Sequence, residues 1–320
     1  MIPLHDPEHA LRPTAIALGS FDGLHRGHCR VIAAVTEPQA AELAPVVPTV
    51  VSFWPHPREV LHGETRLRLD LPEEKLELLE PLGIQQLVLV PFTRELSALT
   101  PERFVREVLA EQLQARRIAV GTNFRFGVDR SGDVDDLARI GAALGIEVHV
   151  LPMLWDGAER VSSSRIRRAL AAGNIAEAGR LLERPYRFSG PVVRGRGLGR
   201  QLGWPTANLA VDGRKFLPLE GVYAALAWRD DEGEAMAAVM NLGPQPTVDP
   251  LAPSAVEVHL LERSLELAGA RLTVQPLRLL RRQQAFGSLE ALSCQIRLDA
   301  DLALQDCCSH GGPSSAPPPA

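Results

Sequence analysis

From about residue 14 to residue 155 the chain alternates short apolar runs with segments of helical composition, and this alternation restricts the fold more than any other feature. The runs Thr14–Leu18, Pro48–Phe53, Gln86–Val90, Ile118–Val120 and Glu147–Leu151 predict strands. Helices are expected between them at Arg26–Val35, Pro72–Leu82, Pro101–Leu113 and Asp135–Leu144. Proline takes the first helical position after Leu71 and Thr100, and Gly83 and Gly145 stand at helix ends. Strand and helix in turn make a doubly wound parallel α/β sheet, which binds ligands at the carboxyl ends of its strands.

Two more helices are expected at Ser164–Ala172 and Ile175–Leu182, with Gly173 and Asn174 as C′ glycine and N-cap. Beyond Arg184-Pro185 the texture changes. Tyr186–Val193, Gly221–Trp228, Ala235–Asn241, Ala255–Leu261 and Arg271–Pro276 are β-like segments broken by glycine and proline. That pattern fits an antiparallel barrel or a sandwich. A last helix is expected from Ser288 to Leu302, followed by a Pro/Ser/Gly-rich tail expected to be disordered. The boundary is placed near residue 184, giving domains 1–184 and 185–305 and a tail 306–320.

With 320 residues and 45% hydrophobic content, the chain can bury two cores and has the composition of a soluble globular protein. No apolar run approaches the roughly 20 residues of a membrane span. Met1 to Pro13 lacks the apolar core of a signal peptide, so a cytoplasmic location is expected. A net charge of −5 and a pI near 6.0 argue against nucleic acid as a partner; the oligomeric state, a homo-oligomer included, stays open. Among 34 lysines and arginines only Lys75 and Lys215 are lysines. Phosphate contacts should then fall on arginine forks, backbone N–H groups and a metal, although a genomic arginine bias accounts for the same counts. Cys29, Cys294, Cys307 and Cys308 lack the spacing of a zinc site and read as reduced thiols.

The first predicted strand runs directly into Gly19-Ser20-Phe21-Asp22-Gly23-Leu24-His25-Arg26-Gly27-His28. Small residues turn the chain, and two histidines three apart then open a helix, where free N–H groups and the helix dipole favour an anion. Glycines 19, 23 and 27 allow close backbone approach to a ligand. Gly19, Phe21, Asp22, Gly23 and Gly27 then make either a phosphate-ready turn with His25 and His28 as its candidate chemical pair, or a solvated turn with two incidental histidines. Arg160, Ser162, Ser163, Ser164 and Arg165 place hydroxyls and guanidinium groups at another helix start, suited to outer phosphates but also common in an ordinary capped helix. Pro55-His56-Pro57 and Asn123-Phe124-Arg125-Phe126 follow other strands. Phe124 and Phe126 there either flank a planar ring or belong to the core.

The second half carries its own constellation. Gly195, Gly197, Gly199 and Gly203 form a glycine-dense loop that could cradle phosphates, although a linker or an RNA contact has similar composition. Trp204-Pro205-Thr206-Ala207-Asn208 follows, and it either supplies hard oxygen ligands for Mg²⁺ from Thr206 and Asn208 or makes a turn. In Ala255–Leu261, Glu257 lies on the face opposite Val256, Val258 and Leu260. It is a candidate general base, or a solvated strand glutamate.

The turn at 19–28 resembles the signature of HxGH nucleotidyltransferases. Together with Pro55–Pro57, Asn123–Gly127 and Ser162–Arg167, it resembles the bifunctional bacterial riboflavin kinase/FMN adenylyltransferase (FAD synthetase) family, over about residues 14 to 305. The resemblance implies a Rossmann-like adenylyltransferase domain followed by a six-stranded Greek-key barrel with a C-terminal helix. It implies ATP, riboflavin and FMN as substrates and Mg²⁺ as cofactor. His25 and His28 would steady the α-phosphate, and Arg160, Ser163 and Ser164 the outer phosphates. Pro55, His56, Pro57 and Asn123 to Phe126 would lie near the flavin. In the barrel, Pro205 to Asn208 would bind metal and ATP, Glu257 would activate the ribityl hydroxyl, and Arg281 and Phe286 would close over the flavin.

Four positions depart from the common family pattern: Ser20 for Asn, Ser164 for Thr, Gln245 for Arg and Ala268 for Tyr. The last two bear on kinase affinity. Two other functions fit parts of the chain, a transferase for a different mononucleotide or phosphopantetheine, and a non-catalytic flavin-binding regulator. The former leaves Pro205–Asn208 and Glu257 without a purpose; the latter would tolerate loss of His28 and Glu257.

Overall fold

A computed structural model describes residues 1–37, 45–194, 203–229, 234–243, 254–261, 267 and 269–309. The chain forms two compact units, one of Met1–Arg66 with Asp70–Ser162, the other of Leu67–Leu69 with Ser163 onward.

The first unit is a six-stranded parallel sheet. Its strands are β1 (Leu4–His5), β2 (Thr14–Leu18), β3 (Val47–Trp54), β4 (Gln86–Pro91), β5 (Ala115–Gly121) and β6 (Glu147–Leu151), in the order β1-β4-β3-β2-β5-β6. Helices α1 (Arg26–Thr36), α2 (Pro57–His62), α3 (Pro72–Leu79), α4 (Arg94–Ser97), α5 (Pro101–Arg103) and α6 (Val134–Ala143) connect them. All five residues of β2 are buried, as a strand packed on both faces must be. One core cluster gathers Ile16, Val51, Leu109 and Ile118, and the other Ala15, Ile32, Val50 and Leu79. Alternate residues of the same strands therefore feed opposite layers. The order reverses at β2, with β3 and β4 on one side and β5 and β6 on the other, so the ligand crevice of such a sheet opens where β2 and β5 end.

Two expected helices differ in form. Pro72–Leu82 ends in a 3₁₀ turn at Glu80–Leu82. Pro101–Leu113 makes one α turn and then a π-helix over Phe104–Gln112, closed by Leu113 N–H donating to Val108 O at 3.1 Å. The short helices α2 and α4, edge strand β1 and the hairpin β7 (Trp155–Asp156) with β8 (Glu159–Arg160) fall below the length at which a periodic pattern shows.

In the second unit, α7 (Ser163–Ala171) and α8 (Ile175–Leu182) precede a closed antiparallel barrel. Its strands are β9 (Phe188–Val193), β10 (Ala207–Val211), β11 (Gly221–Arg229), β12 (Met236–Leu242), β13 (Ser254–Leu260) and β14 (Arg271–Arg281), ordered β10-β13-β12-β11-β14-β9. β11, β12 and β13 form a meander whose last strand returns beside β10, which is the Greek key. Closure settles the choice between barrel and sandwich. Thr206-Ala207-Asn208, read as metal ligands or a turn, leads into strand β10. The last helix, α9 (Leu289–Ser309), runs seven residues past the expected Leu302, so residues 306–309, assigned to the tail, are helical. Its Ala300 and Ala303 pack on Val222, Ala224 and Val239, and this fixes which barrel face points outward.

Lys215 and Tyr186, both buried, hold Leu69 to this unit: Lys215 Nζ donates to Leu69 O at 2.6 Å and Tyr186 Oη at 3.2 Å. The Lys215 ammonium also lies 4.8 Å from the centre of the Tyr186 ring.

Candidate functional site

His25 is the N-cap of α1, with Nδ1 accepting from His28 N–H at 3.3 Å. That bond leaves the ring proton on Nε2, where it can be donated to a ligand. The imidazoles of His25 and His28 stack with centroids 3.7 Å apart and planes 15° apart. Two charged rings this close would repel each other, so the stack favours at most one proton on the pair. Burial, ahead of the Arg160 charge, pushes the His25 imidazole down to about 4, although Asp70 and Asp22 pull the other way. Burial, His25 and the Lys75 ammonium together hold His28 well below the usual histidine range. His28 Nδ1 is buried and makes no hydrogen bond.

The turn explains its own small residues. A Cβ at Gly27 would stand 3.2 Å from two atoms of the His25 ring, and one at Gly19 would stand 3.2 Å from the Phe21 ring. Phe21 itself is buried in the left-handed region (φ 43), and its ring meets His28 edge-on at 5.3 Å. Such a conformation costs a β-substituted residue about 1–3 kcal/mol, so the surroundings must enforce it. Asp22 is buried and accepts the Asp70 N–H at 3.3 Å. Gly19, Phe21, Asp22, Gly23, Gly27 and the two histidines thus form one compact wall at the carboxyl end of β2, and Arg160 acts on it from β8.

At the same edge of the sheet a cavity of about 670 Å³ is lined by Phe53, Phe92, Phe104, Phe124 and Phe126, among others. Phe124 and Phe126 stack at 5.6 Å, and Phe53 meets Phe92 edge-on at 5.9 Å. Planar apolar walls of this size suit a fused-ring ligand. Gly127 is a wall residue at φ +72, and a Cβ there would stand 2.8 Å from Pro101. Of the expected flavin neighbours, Pro57, Phe124, Arg125 and Phe126 line this cavity, whereas Pro55, His56 and Asn123 do not. His56 instead caps α2: its Nδ1 accepts from Arg58 N–H, and its own N–H donates to Glu59. Arg125 is paired with Asp133 at 3.2 Å.

The Ser162–Arg167 segment is divided. Ser162 ends the first unit, and Ser163, Ser164 and Arg165 open α7 in the second. Arg165 pairs with Glu177 at 2.7 Å, while Arg167 donates to Leu67 O at 3.1 Å and lies over the Phe216 ring. These guanidinium groups therefore have structural work within the second unit.

The barrel presents a second arrangement. Val239 packs under α9 and therefore faces outward; its cross-strand partner His259 shares that face, as does Glu257 two residues earlier. Glu257 pairs across β13 with Asn208 of β10 on one side and Asn241 of β12 on the other. An amide, a carboxylate and an amide thus stand in a row on the outer face, on directly opposed positions of three strands. Val256 and Val258 alternate inward, each 1% exposed. His259 Nδ1 lies 2.7 Å from Pro205 O and its ring meets Trp204 edge-on at 5.2 Å, which anchors the segment leading to Thr206 and Asn208. Gln283 Nε2 donates to Asn241 Oδ1 at 2.6 Å. Arg281 forms a two-nitrogen pair with the buried Asp299 of α9, at 2.9 Å from Nη2, and lies 5.5 Å from the Phe286 ring centre. The loop glycines Gly195, Gly197 and Gly199, and the departures Gln245 and Ala268, lie outside the described residues.

Reading the residues alone missed Lys75, Asp70, Asn241 and His259. Lys75 carried a signal, since lysine occurs only twice in the chain. Asn241 carried none, because its place beside Glu257 depends on strand register.

Comparison with known proteins divides the chain in the same sense. The FAD synthetase family model matches residues 7–165 and the riboflavin kinase model residues 182–306. The bifunctional riboflavin kinase/FMN adenylyltransferase of Pseudomonas fluorescens is 39% identical over 93% of both chains. Its Escherichia coli K12 counterpart is 36% identical over 89% of this chain and 90% of that one. A crystal structure described as a macrolide-efflux protein from Streptococcus pneumoniae superposes with a TM-score of 0.82 at 28% identity, covering 95% of this chain and 98% of that one. Among the described residues no helix is long and apolar enough to cross a membrane.

Proposed function

This chain belongs to the bifunctional riboflavin kinase/FMN adenylyltransferase family, and on that premise we propose which residues carry each of its two reactions. The protein phosphorylates riboflavin to FMN with one ATP and joins FMN to AMP from a second, releasing pyrophosphate. We assign adenylyl transfer to residues 1–184 and phosphorylation to residues 185–305.

In adenylyl transfer, an FMN phosphate oxygen attacks the α-phosphorus of ATP as the bond to pyrophosphate breaks. No covalent enzyme intermediate is needed, so positioning and charge stabilisation carry the reaction. His25 offers its Nε2–H, and His28 stands beside it, at a helix start that favours phosphate. The stacked imidazoles at the end of β2 are the observation that supports this assignment most. Arg160, Ser162, Ser163 and Ser164 are assigned to the outer phosphates, and Phe124 and Phe126 to the flavin ring.

In phosphorylation, Glu257 takes the proton of the ribityl hydroxyl as its oxygen attacks the γ-phosphorus and ADP leaves. Thr206 and Asn208 offer a hydroxyl and an amide oxygen, the hard donors Mg²⁺ prefers. The two would hold Mg²⁺ together with oxygens of ATP. Mg²⁺ bound there would neutralise charge on the transferring phosphoryl group. Phe286 is assigned to the flavin edge, with Arg281 holding it through Asp299. Both reactions use ATP, in keeping with the expected cytoplasmic location.

Incubation with riboflavin, ATP and Mg²⁺, resolved by chromatography with fluorescence detection, should show FMN first and FAD later. If FMN accumulates and supplied FMN also stays unconverted, the assignment to residues 1–184 is lost. His259→Ala removes the contact to Pro205 O, and it is expected to raise the KM for ATP in riboflavin phosphorylation about tenfold while FAD formation from FMN stays unchanged. An unaltered KM would mean that His259 does not hold the ATP-binding segment.

A further inference from the structure

Three buried charged residues of the first unit act on the stacked imidazoles through their charge: Asp22, Asp70 and Lys75, 4%, 2% and 8% exposed. Charged groups are rarely buried without a task. Asp22 belongs to the turn, and its carboxylate holds the Asp70 N–H, the start of the segment leading into α3. Lys75 follows on α3 and is the first unit's single lysine. Its Nζ donates to Ser20 O at 3.1 Å, and Ser52 Oγ donates to the same carbonyl at 3.2 Å.

Two donors on one carbonyl oxygen fix the Ser20–Phe21 peptide plane. A trans peptide then aims the Phe21 N–H away from Lys75. This plane immediately precedes the left-handed Phe21, whose ring bears edge-on against His28 at 5.3 Å. A strained residue survives only where its neighbours overdetermine it, and the clamp on Ser20 O is such a neighbour.

We propose that Lys75 is a positioning residue for adenylyl transfer, its ammonium group gripping the Ser20 carbonyl and thereby setting the place of the Phe21 and His28 rings. The proposal rests on the assignment of FAD formation to His25 and His28. Lys75 reaches no reacting atom in this role; it acts through the turn and through its field. The charged and titratable groups around the pair are His25 and Lys75 at His28, and Arg160, Asp70 and Asp22 at His25. The Lys75 charge opposes a proton on His28. Removing it makes His28 easier to protonate, so the acid limb of the rate profile moves to higher pH.

The test uses the full chain with Lys75→Met, Lys75→Arg and, in parallel, His28→Ala. FAD formation from FMN is followed across pH, and riboflavin phosphorylation in the same preparations reports the second unit. Lys75→Met should lower kcat for FAD formation about tenfold or more with little change in the KM for FMN. Its acid limb should move to higher pH, while Lys75→Arg, which restores the cation, keeps the limb in place. If Lys75→Met does not fold, Lys75→Gln replaces it, retaining a donor for Ser20 O but no charge, and its acid limb must still move. An unmoved acid limb, or kcat within about twofold of the unmodified protein, overturns the proposal. So does an equal loss of both activities. If His28→Ala itself forms FAD normally, it is the site assignment that fails.

Discussion

With His28→Ala, FAD formation from supplied FMN should fall about 10²–10³-fold, the usual cost of removing one preorganised donor from a phosphoryl or oxyanion site. Riboflavin phosphorylation should proceed at the unmodified rate, because Glu257 and its neighbours lie in the other unit. The expectation follows from the state of the two rings. With His25 pushed down to about 4 and His28 held well below the usual histidine range by burial, both are neutral at pH 7 and bring donors without a charge. Protonation of His25 should therefore take nothing from the rate until the pH nears about 4. Stability has the same origin and a wider window. In the unfolded chain these histidines titrate near 6.5, so below that pH the unfolded state binds protons that the folded state refuses. The contribution is complete above about 6.5 and declines as pH falls toward about 4, by about 3 kcal/mol for His25 alone. Acid unfolding of His25→Asn should show a shallower decline over that range. Normal FAD formation by His28→Ala would remove the histidine pair from the chemistry.

The parallel sheet was legible because buried strands read as continuous apolar runs and the helices between them carry start and stop residues. β2, β6 and α8 keep the bounds expected for them. The barrel was legible only as texture. Its strands are short, and β10 hides behind Pro205, where a turn and a strand entry look alike in sequence. The sites divide along the same line. His25 and His28 are three residues apart, so local geometry nearly determines their meeting. Glu257 meets Asn208 and Asn241 from 49 and 16 positions away, and only register brings them opposite. The aromatic cavity is intermediate: Phe124 and Phe126 are local, but Phe53, Phe92 and Phe104 join them through the order of strands and the π-helix. Arg165, Arg281 and His56 show a further limit. Each is a polar residue in a motif, yet each has an intramolecular partner, Glu177, Asp299 and Glu59 respectively.

Glu257→Gln should lower kcat for riboflavin phosphorylation about 10²–10⁴-fold, the range for a positioned general base, with little change in either KM and no change in FAD formation from FMN. The substitution keeps volume and a hydrogen-bonding oxygen, so a loss confined to kcat reports the missing proton acceptor. The surroundings favour this over an ordinary solvated glutamate. Asn208 and Asn241 stand opposite Glu257 on both neighbouring strands, and neither amide can compete for the proton. Gln283 engages Asn241 from beyond β14, which ties the row to the segment carrying Phe286. The base is thereby set between the segment assigned to ATP and the segment assigned to flavin, on a face stiffened by strand pairing on both sides. Asn241→Ala should accordingly cost less than Glu257→Gln, since it loosens the row without removing the acceptor. Equal losses in the two variants would make Glu257 another support of that face, and the proton would have to leave by a different group.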